Sequence, residues 1–222
     1  MDWQALWLSL RLAGWTVVLL LPVSVLFGRF LAWHEFRGKG LVEALVMLPL
    51  VLPPTVIGFY LLGGFGAGSL LGDLWQAWFG HGLVFSFHGL LIASVLVNLP
   101  FAVQPAQRAF EAIPRQVREA SRCCGMGPWQ ALWRVDLPLA WPGVLTAMVL
   151  SFAHTLGEFG VVLMVGGSIP GETRTIAIAI YDRVQAFDTA SAGTMSAVLL
   201  MISLVAIALT FAMSRRLGRR LD

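Results

Sequence analysis

Five stretches of this chain, at 8–28, 41–63, 83–104, 141–166 and 194–214, are apolar over a length that can cross a bilayer, which takes about 20 residues. In lipid only a helix or a closed barrel satisfies its own backbone, so five runs of helical length predict an all-α integral membrane protein. Only 12% of the residues are charged, about half the share of a soluble domain, and the mean hydropathy is +0.79. Such a chain cannot clothe itself in polar surface, and lipid is its expected solvent. Most of the tryptophans, among them Trp3, Trp7, Trp33, Trp75, Trp78, Trp129, Trp133 and Trp141, stand near segment ends, as interface anchors do. The first apolar run has neither a basic leader nor an A-x-A cleavage site, so it reads as a retained span.

The placement of charge fixes an orientation. Arg29, Arg37 and Lys39 form one cluster, Arg108, Arg115, Arg118, Arg122 and Arg134 a second, and Arg215, Arg216, Arg219 and Arg220 a third. Together they hold twelve of the fifteen basic residues, all on one side of a five-span topology. The positive-inside rule makes that side cytoplasmic, with the N-terminus outside and the C-terminus inside. No internal repeat or low-complexity linker divides the chain, which reads as one domain over 1–222. The largest external segments are 64–82 and 167–193, and Glu172, Arg174, Asp182, Arg183 and Asp188 give the second a mixed-charge rim suited to a docking protein.

None of the spans is uninterrupted. Pro49, Pro53 and Pro54 break the second, Arg11 sits in the first and Glu158 in the fourth. Prolines free backbone groups, Thr55 adds a hydroxyl and Gly58 allows close approach, so this stretch is expected to line or gate a path. Gly157 and Gly160 give the fourth span a small-residue surface that suits either helix packing or a path wall. Glu158 falls about 25 Å along its span from Trp141, in the same outer half as Arg11, and the two are expected to pair because an isolated charge there is costly.

The cytoplasmic segment 111–138 is expected to fold as a bent knuckle. A helix starts near Pro114, the run Gly125-Met126-Gly127-Pro128 breaks it, a short helix follows from Pro128 through Trp133, and Leu137-Pro138 ends that helix. Catalytic chemistry is not expected. His34, His81, His88 and His154 are scattered, Cys123 and Cys124 are adjacent rather than at metal-ligand spacing, and no G-x-x-x-x-G-K-[ST] occurs. An intramembrane enzyme would need clustered catalytic groups within the spans, and Arg11, His88, Asn98, His154 and Glu158 match no known spacing. A purely structural membrane subunit fits poorly with the proline-broken second span.

The knuckle carries a resemblance. Glu119-Ala120-Ser121, three residues, Gly125, nine residues, then Val135-Asp136-Leu137-Pro138 resembles the EAA loop of ABC importer permeases, with Ser121 for the third alanine and Val135 for isoleucine. Leu48 to Gly58, Leu156-Gly157-Glu158-Phe159-Gly160 and Ile169-Pro170-Gly171-Glu172-Thr173-Arg174-Thr175 are similar to the molybdate and sulfate group within that family, and the short five-span chain leans towards molybdate. The resemblance implies a type I importer (MetI-like) permease fold. It also implies a homodimer in the bacterial inner membrane, joined to two copies of a cytoplasmic ATPase that binds ATP and Mg, and served by a periplasmic molybdate-binding protein. Glu119, Ala120, Ser121, Gly125, Met126 and Gly127 would form the surface that couples to the ATPase. This chain itself would bind no cofactor, metal or nucleic acid. Sulfate or thiosulfate is the alternative cargo, and tungstate, nearly the same in size and charge, is not separable from molybdate.

Overall fold

The computed structural model describes residues 1–218, with Arg219 and Arg220 of the basic tail lying outside the described residues. Every regular element among the described residues is a helix. The first, α1 (Trp3–Trp33), is capped by Asp2, whose carboxylate accepts the Ala5 amide at 3.0 Å. Its 31 residues extend about 46 Å, enough to span a bilayer and its headgroups. Helices α2 (Lys39–Val51) and α3 (Pro54–Phe65) follow, then the short external α4 (Leu70–Phe79), and α5 (Phe87–Glu111). The cytoplasmic knuckle comprises α6 (Arg115–Cys123) and α7 (Pro128–Ala131). Beyond it lie α8 (Leu137–Gly157), α9 (Gly160–Gly166), the external α10 (Ile176–Gln185) and α11 (Thr189–Gly218).

Helices α1, α5 and α8 form the central bundle. The core that they form with the π turn, α9 and α10 is layered. Phe110, Leu132, Ala140 and Val144 close the cytoplasmic end. Leu20, Ala102, Ala147 and Met148 fill the middle, and Leu12, Leu90, Val162 and Ile178 the outer end. Alanine and glycine let the helices approach closely where larger residues would hold them apart. At Gly143 a Cβ would strike Ala109 and the Pro105 carbonyl, so the α5–α8 crossing depends on that hydrogen.

The second span is broken at its prolines, as the sequence leads one to expect: α2 and α3 meet at 109° across Leu52-Pro53, while Pro49 stays inside α2. Two other helix boundaries depart from expectation. The fourth does not run to residue 166: α8 ends at Gly157, and α9 is a separate helix after a break at Glu158-Phe159. And Leu137-Pro138 ends nothing. A π-helical turn, Leu132–Asp136, joins α7 directly to α8, so helix runs unbroken from Pro128 to Gly157. Pro138 sits in the first turn of α8, where the wider π turn accommodates the amide it lacks.

Replacing Gly143 by Val should lower the detergent melting temperature of the purified chain, with overpacking costing about 1–3 kcal/mol. Gly14→Val, where a Cβ meets nothing within 4 Å, should leave it unchanged. Equal melting of both variants would show that the α5–α8 crossing is not tight.

Candidate functional site

Two regions bring together the residues singled out by sequence. The first is the knuckle. Pro114 precedes α6, and Arg115 pairs with Glu119 at 2.6 Å one turn on. Both side chains are exposed, so the pair adds little stability. After Cys123 the chain reverses through Gly125, whose φ of +76° is in the left-handed region that glycine occupies without strain. The reversal is held by the amides of Gly125 and Met126, which donate to the Arg122 and Ser121 carbonyls at 2.9 and 3.2 Å. Glu119, Ala120, Gly125 and Gly127 are exposed and Met126 is half-buried, so the turn stands open on the outside of the knuckle. Ser121 is turned inward, its hydroxyl donating to the Arg118 carbonyl at 2.8 Å.

What holds the knuckle to the spans could not be read from the motif. Asp136, in the π turn and 2% exposed, accepts from both Nε and Nη2 of Arg29 on α1, at 3.0 and 2.9 Å. Trp33, one turn further along α1, donates Nε1–H to the Phe110 carbonyl at the end of α5. The guanidinium groups of Arg29 and Arg118 both lie over the Trp33 ring, at 4.6 and 4.7 Å from its centroid. Three spans and α6 therefore converge on Arg29 and Trp33. A carboxylate inside the I-x-L-P-like tetrapeptide, and a tryptophan one turn after an arginine, are the only signals the sequence offers for this joint.

The second region is the meeting of the two broken spans. The α2–α3 break and the α8–α9 break lie against each other. A Cβ at Gly160 would come within 2.7 Å of Pro54 Cβ, and one at Gly58 within 2.6 Å of Met164 Cβ. These glycines thus serve helix packing. The open surfaces at the junction belong to Pro53, Pro54 and Thr55, all exposed, and to Gly157, around which a Cβ would find free space. The N-terminus of α3 carries no side-chain cap. That of α9 is filled by Glu158, whose Oε1 accepts the Val161 amide at 3.0 Å.

The expected ion pair between Arg11 and Glu158 is not formed. Arg11 lies on the outward ridge of α1 with Trp7, Trp15 and Val18, and its guanidinium rests on the Phe87 ring at 4.3 Å. Glu158 points into the protein, 7% exposed, with His154 Nε2 at 3.8 Å from its second oxygen. Both charges find partners, but helix rotation sends them to different ones. Sequence reading also missed the buried polar seam beside Glu158. Thr16 donates to Ser94 at 3.0 Å, Ser94 lies 3.4 Å from Thr155, and His154 Nδ1 is 3.2 Å from Asn98 Oδ1.

On the external side the mixed-charge rim is largely self-paired. Arg174 lies between Asp182 (3.3 Å) and Asp2 (3.7 Å), and Arg183 meets Asp188 at 3.3 Å. Asp188 also accepts the Ser191 amide as the cap of α11, and the Ser191 bonds hold its carboxyl below the usual carboxylate range. A depressed pKa means that the cap is complete above the ordinary carboxylate value, about 4, and is lost as pH falls through the lower folded value. Protection of the Ser191 amide, its exchange rate divided into the intrinsic rate at each pH, should therefore be high at neutral pH and fall only in strong acid. Asp188→Ala should lack that protection throughout, and protection independent of both pH and substitution would remove the cap.

At the knuckle, Arg29→Ala strands a buried carboxylate and should destabilise the fold by about 3 kcal/mol. Asp136→Asn should cost less. A double-mutant cycle in thermal unfolding checks this, and additive losses would mean that the two side chains do not interact.

The comparisons with known proteins agree with this geometry. The family model described as "Binding-protein-dependent transport system inner membrane component" matches residues 24–222. A protein of Azotobacter vinelandii named "Molybdenum transport system permease protein ModB" is 48% identical over 207 residues, covering 93% of this chain and 91% of the relative. A "Probable sulfate transport system permease protein cysT" of Marchantia polymorpha is 31% identical over 196 residues, covering 86% of this chain and 68% of the relative. Among solved structures, a chain of a bacterial ABC transporter involved in the import of alginate aligns with a TM-score of 0.77 at 17% identity, covering 96% of this chain and 78% of that one. At that identity the likeness is one of fold.

Proposed function

The chain belongs to the family of binding-protein-dependent transport system inner membrane components, and from that premise we propose that it is the permease subunit of an ABC importer that carries molybdate into the cytoplasm. The observation that carries this reading is the 48% identity, over 93% of the chain, to a molybdenum transport permease. The sulfate permease relative, at 31%, is more distant, and sulfate or thiosulfate is the second reading. The chain is a transport subunit and not an enzyme. ATP and Mg would be bound by a separate ATPase, two copies of which would dock on the knuckles of a permease homodimer in the bacterial inner membrane. A periplasmic molybdate-binding protein would deliver the anion to the outer face.

Molybdate is a tetrahedral dianion, and tungstate resembles it too closely for a site of this kind to separate them. It needs N–H and O–H donors and positive helix ends, arranged so that binding stays weak enough for release. The uncapped start of α3, with exposed Thr55 beside Pro53 and Pro54, supplies such groups in mid-span. Gly157 leaves the facing surface open, while Gly58 and Gly160 keep the two broken spans in contact. ATP-driven closure of the ATPase pair would move α6. Because α7, the π turn and α8 are one continuous helix, that movement would pass into the bundle and alternate the path between its two openings.

Uptake of radiolabelled molybdate by cells that depend on this chain tests the reading. Excess sulfate should reduce uptake little, and Gly125→Asp, which puts a side chain and a charge at a left-handed position of the docking surface, should abolish it. Thr55→Val should slow uptake by roughly tenfold if the hydroxyl contributes one charge-assisted bond at a limiting step. Abolition by sulfate would reassign the cargo, and full uptake by both variants would remove the knuckle and the α3 terminus from the mechanism.

A further inference from the structure

Behind the coupling helix lies a cavity of about 220 Å³, enclosed by the end of α1, α6, α7 and the π turn. Arg29, Trp33, Arg118, Arg122, Met126 and Asp136 are in its wall. Its electrostatics do not close. Three arginines line it with a single aspartate, and Arg29 already engages that carboxylate with two donors. Arg29 and Arg118 lie over the same indole ring, so their charges are less than about 10 Å apart and repel in a partly desolvated site. Arg118 Nε is buried and bonded to no protein atom among the described residues, and an unmet buried donor is costly.

We propose that this cavity binds a phosphate-type anion, either the headgroup phosphate of a membrane lipid or free phosphate. A tetrahedral oxyanion presents oxygens in several directions at once, so it can bond more than one guanidinium, whose planar fork matches two phosphate oxygens. A carboxylate would fill one fork and leave the others. At about 220 Å³ the cavity holds a small group such as a phosphate and not a folded segment of protein. Trp33 marks the cytoplasmic membrane interface, and Arg29 stands one turn inside it. There a negatively charged leaflet concentrates phosphate groups beside basic residues. The bound anion offsets the repulsion between α1 and α6 and fastens the coupling helix to the bundle. Of the proposed docking surface, Ser121 and Met126 share the cavity wall, and Glu119, Ala120, Gly125 and Gly127 are left free.

The test is thermal unfolding of the full chain, in its assembled complex, delipidated in a phosphate-free maltoside detergent. One arm adds inorganic phosphate against chloride at matched ionic strength, and a second adds phosphatidylglycerol to the micelles. The expected result is stabilisation in at least one arm, with the responding arm naming the source of the phosphate. The Arg118→Gln/Arg122→Gln double variant should need roughly tenfold more ligand for the same shift. Arg134→Gln, an exposed arginine outside the cavity, should respond as the unaltered chain does. Should the double variant fail to assemble, Arg122→Gln alone, at an exposed position, should still weaken the response severalfold. No stabilisation in either arm, or an equal response from the cavity variants, overturns the proposal. Because the readout is ligand-dependent unfolding, its failure leaves the transport reading untouched.

Discussion

Backbone amides and carbonyls in a bilayer have no water to bond, so a span can be interrupted only where the protein itself meets the freed groups. The breaks in this chain follow that rule. Between α2 and α3 the interruption falls on Pro53 and Pro54, which have no amide to leave unmet, and the Leu52 amide reaches back to the Leu48 carbonyl. Between α8 and α9 a carboxylate does the work, with Glu158 accepting the Val161 amide. At the cytoplasmic entry to α8 the helix widens to a π turn instead of breaking, and Pro138 follows where its missing amide is harmless.

This constraint also explains which features were legible in the sequence. Apolar length, proline and the asymmetric arginines report directly on spans, breaks and sidedness, because each acts through the solvent or the local backbone. Side-chain pairing does not. Arg11 and Glu158 sit at similar depth, yet α1 is rotated so that Arg11 leaves the bundle and lies over Phe87. Depth can be counted from a sequence at 1.5 Å per residue, whereas azimuth depends on how helices pack. The same holds for Asp136. Its tetrapeptide is recognisable, but its partner lies more than a hundred positions earlier in the chain.

On the proposed reading of the knuckle as the ATPase docking site, the joint at Arg29 and Trp33 gives that surface its mechanical meaning. A coupling helix hung on flexible loops would move without moving the spans. Here α6 is tied to α1 through Arg118 and Trp33, α1 to the π turn through Arg29 and Asp136, and α1 to α5 through the Trp33 indole. The π turn then continues into α8. Exposed salt bridges such as Arg115–Glu119 can be remade at little cost as partners change. The buried pair cannot, since separating it leaves a desolvated carboxylate behind. Rigidity is thus concentrated behind the surface that must move as a unit, and adaptability on its face.

At the junction of the broken spans, a similar asymmetry decides where an anion can sit. Two short helices begin there, and each N-terminus carries the positive end of a helix dipole. That of α9 is occupied by Glu158, which is buried, bonded to the backbone and flanked by His154. The carboxylate is thereby bonded within the protein and turned from the open surface. That of α3 has no cap, and exposed Thr55 stands in its first turn. A dianion is repelled by a free carboxylate and attracted to an unoccupied helix start, so a terminus filled by Glu158 beside one left open is the arrangement that the proposed path at α3 requires. An arginine in this place would bind molybdate more tightly but would also hold it, and a transport path needs sites that release.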